Sequence, residues 1–245
     1  MDTTANAEAE VEAPLVDADH DVRRRLALVL DVDDLVVARR TAQTLRPWFG
    51  VVKVGLELYS AAGPDAIETM IELGYEVFVD LKLHDIPTTV NKASKVLGSL
   101  GASYTTMHAF GGVDMLRAGV EGLKEGADSA GLPEPCALAV TVLTSDNTAP
   151  PHILPKRVAL AIEAGCGGLV CAVADARDAR QMGPRLTIVT PGIRPAGTPT
   201  HDQARAATPQ EAFDAGADLL VIGRAVTQAE DPVVAASQLV ESITL

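Results

Sequence analysis

Tyr75-Glu-Val-Phe-Val-Asp80-Leu-Lys-Leu-His-Asp85-Ile-Pro87 carries an apolar run, broken only by Glu76, straight into Asp80, Lys82 and Asp85. The apolar part reads as a buried parallel strand, since such strands are covered on both faces. Side chains alternate along a strand, so Asp80 and Lys82 share one face at its C-terminal end. Asp85 follows in the loop, and Pro87 keeps the strand from continuing. Two carboxylates and an ammonium are thereby held where a barrel would open to solvent. That placement points to chemistry more than to scaffolding.

Seven further runs of the same kind flank this one. The pattern predicts strands over 26–31, 51–55, 76–81, 104–108, 136–143, 168–172, 186–190 and 218–223. Amphipathic segments near 33–46, 63–73, 88–99, 113–126, 155–164, 175–182 and 208–215 alternate with them. A last helix over 232–243 starts at Pro232, a residue favoured in the first helical turn. Asp33 and Asp34 are placed to cap the first of these helices, and Thr88 or Thr89 the one after Pro87. Eight similar units without a long insertion predict a single (β/α)8 barrel, an α/β fold, rather than a doubly wound sheet.

The chain has 245 residues and a net charge of −13. That balance argues against a nucleic-acid surface, which needs a basic stripe. Residues 1–22 hold seven acids and neither lysine nor arginine, and they lack an apolar period. They read as a disordered acidic tail, leaving 23–245 as one catalytic domain. No apolar run approaches the roughly 18 residues of a membrane span. The N-terminus lacks the basic flank and apolar block of a secretory signal. Cys136, Cys166 and Cys171 are an odd count without ligand spacing, so buried thiols in a reducing cytoplasm are expected.

In a barrel the active site lies at the C-terminal strand ends. Those ends deliver Asp31, Lys53 (inside its strand), Asp80 with Lys82, His108, Thr144 with Ser145, Gly192 with Arg194, and Gly223-Arg224. Strand six, ending in Cys171-Ala172, delivers nothing obvious. Lys53, Asp80, Lys82 and Asp85 would form an alternating set of charges. An ion-pair network closing the mouth is the plain alternative, but burying four charges is costly unless they do work. Two lysines beside two carboxylates can stabilise a developing negative charge and protonate it.

Gly192 and Arg194, with Gly223-Arg224, sit in the two loops through which barrels often bind phosphate. The polar, Gly/Pro-rich segment from Arg194 to Gln203 is long for such a loop and reads as a lid. Asp31 is open to two readings, an acceptor for sugar hydroxyls or a helix cap. Thr144-Ser145 either bonds the edge of a heterocycle or forms a turn, and His108 is either a site residue or a satisfied barrel histidine. There is no GxGxxG fingerprint and no Walker-type loop, so nothing indicates a dinucleotide.

From about residue 26 onward the chain resembles the bacterial orotidine 5′-monophosphate decarboxylases. The residues that carry the resemblance are Leu30-Asp31, Val52-Lys53-Val54-Gly55, Asp80-Leu-Lys-Leu-His-Asp-Ile-Pro-Thr-Thr89, Ala139-Val-Thr-Val-Leu-Thr-Ser145, Val189-Thr-Pro-Gly-Ile-Arg-Pro195 and Val221-Ile-Gly-Arg-Ala-Val-Thr-Gln228. The resemblance implies decarboxylation of orotidine 5′-monophosphate to uridine 5′-monophosphate in pyrimidine synthesis, with neither cofactor nor metal. It makes Lys82 the acid that protonates C6, sets Asp80 beside the substrate carboxylate, and has Lys53 orient Asp80 and the ribose. Asp31 would also bind the ribose, Thr144 and Ser145 the pyrimidine, and Arg194, Gln203, Gly223 and Arg224 the phosphate and the lid. Ile86 would be a further substrate-binding residue, and Asp85 and Thr89 would reach a partner subunit's site and contact its ribose, which makes the working unit a homodimer. The acidic tail lies outside the family pattern.

Two rivals remain at this level. Magnesium-dependent sugar-phosphate decarboxylases and aldolases share an Asp-x-Lys-x-x-Asp motif but place an acidic metal ligand at the end of strand two, where this chain has Lys53. A catalytically silent phosphate-binding barrel would not need a proton donor at Lys82.

Overall fold

The computed structural model describes residues 18–146, 148–194 and 207–244; residues 1–17, Asn147, 195–206 and Leu245 lie outside the described residues. Eight parallel strands close into a barrel in chain order: β1 (Leu26–Val29), β2 (Val51–Gly55), β3 (Glu76–Leu83), β4 (Tyr104–His108), β5 (Cys136–Val140), β6 (Gly168–Val170), β7 (Thr187–Thr190) and β8 (Leu219–Ile222). Closure is direct, with Ala27 of β1 paired to Val221 of β8.

The helices α1 (His20–Arg24), α2 (Leu35–Leu45), α3 (Leu56–Ala62), α4 (Asp65–Glu72), α5 (Pro87–Ser99) and α6 (Gly112–Ala130) accompany the first half. In the second half stand α7 (Ile153–Ala164), α8 (Val173–Met182), α9 (Pro209–Asp214), α10 (Arg224–Thr227) and α11 (Pro232–Glu241). The single (β/α)8 barrel is the architecture the sequence predicts.

Strand periodicity sorts the core into two layers. Leu26, Leu28 and Leu30, Val52 and Val54, and Val77 and Val79 point outward into the large cluster shared with the helices. Ala27, Val29, Val51, Phe78, Leu138, Val189, Leu219 and Val221 fill the barrel interior. This interior layer is a solid floor, and the next inward position on each strand stands above it at the mouth.

Several boundaries depart from the sequence reading. Residues 18–22 of the expected tail are instead part of the fold, since Asp19 caps α1 and both Ala18 and Val22 are buried in the core, while the rest of that tail lies outside the described residues. β1, β5 and β6 stop two or three residues short of the expected ends, and those residues turn into the loops instead. β3 runs two residues further than expected, to Leu83. The helix α3 follows β2 directly at Gly55 without any turn residue to announce it. Asp34 caps α2 by accepting the Val36 and Val37 N–H groups at 2.7 and 3.1 Å. Neither Thr88 nor Thr89 caps α5; Ile86 takes that place, with Pro87 supplying a first turn that needs no N–H donor.

Helices α5 and α6 pack backbone against backbone. A Cβ on Gly122 would lie 2.2 Å from the Asn91 carbonyl oxygen, and one on Gly126 2.0 Å from that of Lys95. Only glycine permits that approach. The result is a firm base under the loop that carries Asp85.

Candidate active site

The inward alternation that seats Val51 and Phe78 in the barrel floor places Lys53 and Asp80 one step above it. Their side chains are 11 % and 13 % exposed, and the ammonium lies 3.5 Å from Asp80 Oδ2. Lys53 also reaches Asp31 Oδ1 at 3.4 Å. On the other flank, Lys82 Nζ donates to both oxygens of Asp80 at 3.0 Å. The cluster is therefore Asp31–Lys53–Asp80–Lys82, a chain of four alternating charges. Gly55 makes room for it, since a Cβ there would come within 2.8 Å of Lys53 Nζ and 3.0 Å of Asp31 Oδ1.

Simple alternation accounts for Asp80 but not for the conformation of Lys82. Val79 pairs with Thr105 and Leu83 with Met107, so Asp80, Leu81 and Lys82 together face Thr106 alone. This bulge bends β3 at the mouth, as bulges beside active sites do. Lys82 is left-handed at φ 51°, the only non-glycine with positive φ among the described residues. A side chain held there costs about 1–2 kcal/mol. The buried Thr106 hydroxyl accepts the Lys82 N–H at 2.9 Å and donates to Asp80 Oδ1 at 3.0 Å.

Burial raises the Asp80 pKa, but the Lys53 and Lys82 charges and the hydrogen bonds from Lys82 and Thr106 outweigh it. The carboxyl is held below its usual range. It is an anion clamped between two cations, and negative charge placed beside it meets repulsion from Asp80 and attraction from the lysines.

Two cavities open above the floor and share Lys53, Pro191 and Val221. The inner one, about 140 Å³, is lined by Lys53, Asp80, Lys82, Thr144 and the apolar Phe78, Val140, Val142 and Val170. It offers an apolar slot with one charged wall, which suits a flat heterocycle. The outer one, about 410 Å³, is lined by Asp31, Lys53, Gly192, Arg194, Gly223 and Arg224. Two guanidiniums facing backbone of the β7 and β8 loops make it an anion pocket. The Arg194 N–H donates to Ala207 O at 2.9 Å, which joins the residues on either side of 195–206. Gln203 and the expected lid fall in that segment, outside the described residues.

Thus Asp31, Lys53, Asp80, Lys82, Thr144, Arg194, Gly223 and Arg224 converge on one mouth. Ser145 is exposed and lines neither cavity. Asp85 also stands apart: its exposed carboxylate accepts the Ile86 N–H at 2.6 Å. His84 to Thr89 are all exposed, Ile86 to 65 %, so Asp85, Ile86 and Thr89 face away from their own chain's cavities.

His108 Nδ1 accepts the Phe110 N–H at 3.2 Å, and its ring centre lies 5.8 Å from that of His84. Burial, then the charges of Arg157, His84 and Lys82, push its pKa down. It is a neutral histidine at the rim. Thr106 and Gly55 are the residues of the site that sequence reasoning left without a role. Among the described residues, no group of three or more His, Cys, Asp or Glu is placed to hold a metal ion.

The family model described as "Orotidine 5'-phosphate decarboxylase / HUMPS family" matches residues 24–239. The orotidine 5′-phosphate decarboxylase of Anaeromyxobacter dehalogenans is 44 % identical over 223 residues, covering 86 % of this chain and 95 % of that protein. The Thermobifida fusca protein of the same name is 44 % identical over 226 residues, covering 87 % and 93 %. The crystal structure of orotidine 5′-phosphate decarboxylase from Lactobacillus acidophilus superposes with a TM-score of 0.73 at 34 % identity, covering 89 % of this chain and 98 % of that one. With its barrel, its four-charge cluster and its anion pocket, the chain belongs to the orotidine 5′-phosphate decarboxylase / HUMPS family.

Proposed function

We propose that this protein is an orotidine 5′-monophosphate decarboxylase, converting its substrate to uridine 5′-monophosphate and carbon dioxide, and that Lys82 is the acid. The observation that carries the assignment is the Lys82 ammonium held 3.0 Å from both Asp80 oxygens at the wall of a base-sized slot. As the C6–carboxyl bond breaks, its electron pair stays on C6. Lys82 gives that carbon a proton and is left as an amine, which solvent recharges. An ammonium about 4 Å from the developing carbanion contributes about 4 kcal/mol at an effective dielectric near 20. Enzymes of this kind of demand need on the order of 20 kcal/mol, so the lysine does not act alone. Phosphate bound remotely by Arg194, Gly223, Arg224 and Gln203 supplies binding energy that can be spent on closing the site.

In this reading Asp80 lies against the substrate carboxylate, Lys53 orients Asp80 and the ribose, Asp31 holds ribose hydroxyls, and Thr144 and Ser145 meet the pyrimidine. Asp85, Ile86 and Thr89, exposed on the firm α5–α6 base, serve the active site of a second copy, so the enzyme is a homodimer. It needs no cofactor. Lys53 stands where the magnesium-dependent sugar-phosphate barrels require an acidic ligand, which disfavours that chemistry here. A biosynthetic enzyme whose three cysteines are all free thiols belongs in a reducing cytoplasm.

The test is the fall in orotate absorbance when purified protein meets orotidine 5′-monophosphate, with and without EDTA. Turnover that the chelator leaves unchanged is the expected result. Turnover abolished by EDTA would overturn the metal-free mechanism, and no turnover at all would overturn the assignment.

A further inference from the structure

We infer that Thr106 is a positioning residue for decarboxylation, its hydroxyl locking the β3 bulge so that Asp80 and Lys82 present a fixed ion pair to the substrate. The inference rests on Asp80 and Lys82 being the reacting pair proposed above. It starts from a mismatch in the sheet. Three residues of β3 stand opposite one of β4, so the Lys82 N–H has left the regular ladder and needs another acceptor. Thr106 Oγ1 supplies it at 2.9 Å.

The same oxygen carries a single proton, and that proton is committed to Asp80 Oδ1 at 3.0 Å. One hydroxyl therefore fixes the backbone of the acid and the side chain of its neighbour together. Asp80 Oδ1 then receives Thr106 and Lys82, while Oδ2 receives Lys82 and faces Lys53 at 3.5 Å. Rotation of the Asp80 carboxyl would break the threonine bond and at least one lysine contact at once. The left-handed backbone of Lys82 is the second sign, because a strained non-glycine persists only where its surroundings over-determine it. Thr106 touches neither cavity, so its influence runs through Asp80 and Lys82 alone.

No other residue type of that size does both jobs. Valine has the shape and neither the donor nor the acceptor. Serine keeps both. A lost hydrogen bond to a charged group predicts a fall in kcat of about tenfold to a hundredfold for Thr106→Val. Because the anion pocket is untouched, KM and the inhibition constant for uridine 5′-monophosphate stay within about threefold. Thr106→Ser recovers kcat to within about threefold of the wild type, since the hydroxyl survives.

The experiment measures kcat, KM, product inhibition and thermal midpoint for wild type, Thr106→Val, Thr106→Ser and Lys82→Ala, well below the lowest midpoint. The expected pattern is a loss confined to kcat in the valine variant and its recovery in serine. Unchanged kcat in Thr106→Val overturns the inference. So does a parallel loss of turnover and product affinity, or a valine variant that does not fold where the serine variant does, because each assigns Thr106 to the fold. Lys82→Ala separates the two readings: if it keeps turnover, the assigned acid is wrong whatever Thr106 does.

Discussion

The barrel carries a charged network at each end, and the two use their polar atoms in opposite ways. At the N-terminal end Arg180 donates to the carbonyls of Gly216, Pro184 and Leu186 at 2.8–3.3 Å and pairs with Asp218, whose carboxylate accepts the Ile188 N–H at 2.7 Å. Nearly every polar atom there is committed to backbone at the starts of β7 and β8. At the C-terminal mouth Lys53, Asp80 and Lys82 bond chiefly to one another and border a cavity. The first network closes loops. The second keeps charge available to something that enters, and lines of contact to backbone against lines of contact to a cavity are a better guide to function than charge itself.

The largest effect that this contrast predicts is at Lys82. Lys82→Ala removes both the proposed proton donor and one of the two cations around Asp80, so turnover is expected to fall by at least about a thousandfold. Its side chain is 34 % exposed and Asp80 keeps Lys53 and Thr106, so the folded state survives. Orotate absorbance and a urea melt run side by side measure both halves. A melt shifted as far as the activity would erase the distinction between the two ends.

In the proposed homodimer the mouth is also the end that one chain leaves incomplete. Asp85→Asn and Lys82→Ala chains are each expected to be inactive alone. Mixed, half of the dimers pair one of each, and one of their two sites then has Lys82 from its own chain and Asp85 from the other. Activity returns to about a quarter of the wild-type value in a two-fold dimer. No recovery after verified subunit exchange would confine the site to a single chain.

The N-terminal network predicts the reverse split. Arg180→Ala leaves three carbonyls and the Asp218 carboxylate short of donors, at a cost of about 2 kcal/mol in stability. Nothing at the mouth moves, so kcat and KM of the folded fraction remain those of the wild type. Denaturant midpoints and kinetics on the same preparations decide it.

Much of this was legible in the chain. Buried parallel strands are apolar runs, and the eight of them announce themselves; Lys53 and Asp80 follow because each is two residues beyond a floor residue, Val51 and Phe78, on the same strand. What stayed hidden is tertiary. Thr106 lies 26 residues from Asp80, and its role exists only because β3 gains two residues against β4, a register no local pattern encodes. The shared-face argument for Asp80 and Lys82 reached the right pairing, yet the contact is made through a left-handed lysine that period-two reasoning does not contain. α3 escaped because Leu56-Glu-Leu-Tyr-Ser-Ala-Ala62 starts immediately after the last strand residue, Gly55, with no capping side chain to mark it. Ser145 and Asp85 lie in the segments that carry the family resemblance but line neither of this chain's cavities, and period-two and loop reasoning do not say which way a loop side chain faces.

The smallest predicted effect concerns His108, which sits between the two kinds of network: at the mouth, but bonded to backbone. Burial and the surrounding Arg157, His84 and Lys82 charges hold its pKa below the ordinary 6.5. The unfolded chain therefore binds a proton at this residue before the folded one does. Stability is then greatest above that ordinary value, declines as pH falls through it, and levels off once pH is below the folded value. Asp80 follows the opposite chemistry to the same direction, since its depressed pKa contributes stability above 3.8 that is lost only as pH falls through the lower folded value. The Asp80 window begins only below 3.8, so that carboxyl adds nothing to a comparison made at higher pH. Urea melts at about pH 7.5 and about pH 5.5 thus isolate His108, and His108→Asn removes its share of the decline while keeping an acceptor for the Phe110 N–H. An unchanged slope in the variant would mean that neither burial nor the neighbouring charges act on His108, and that the rim histidine is a spacer rather than a titrating member of the mouth.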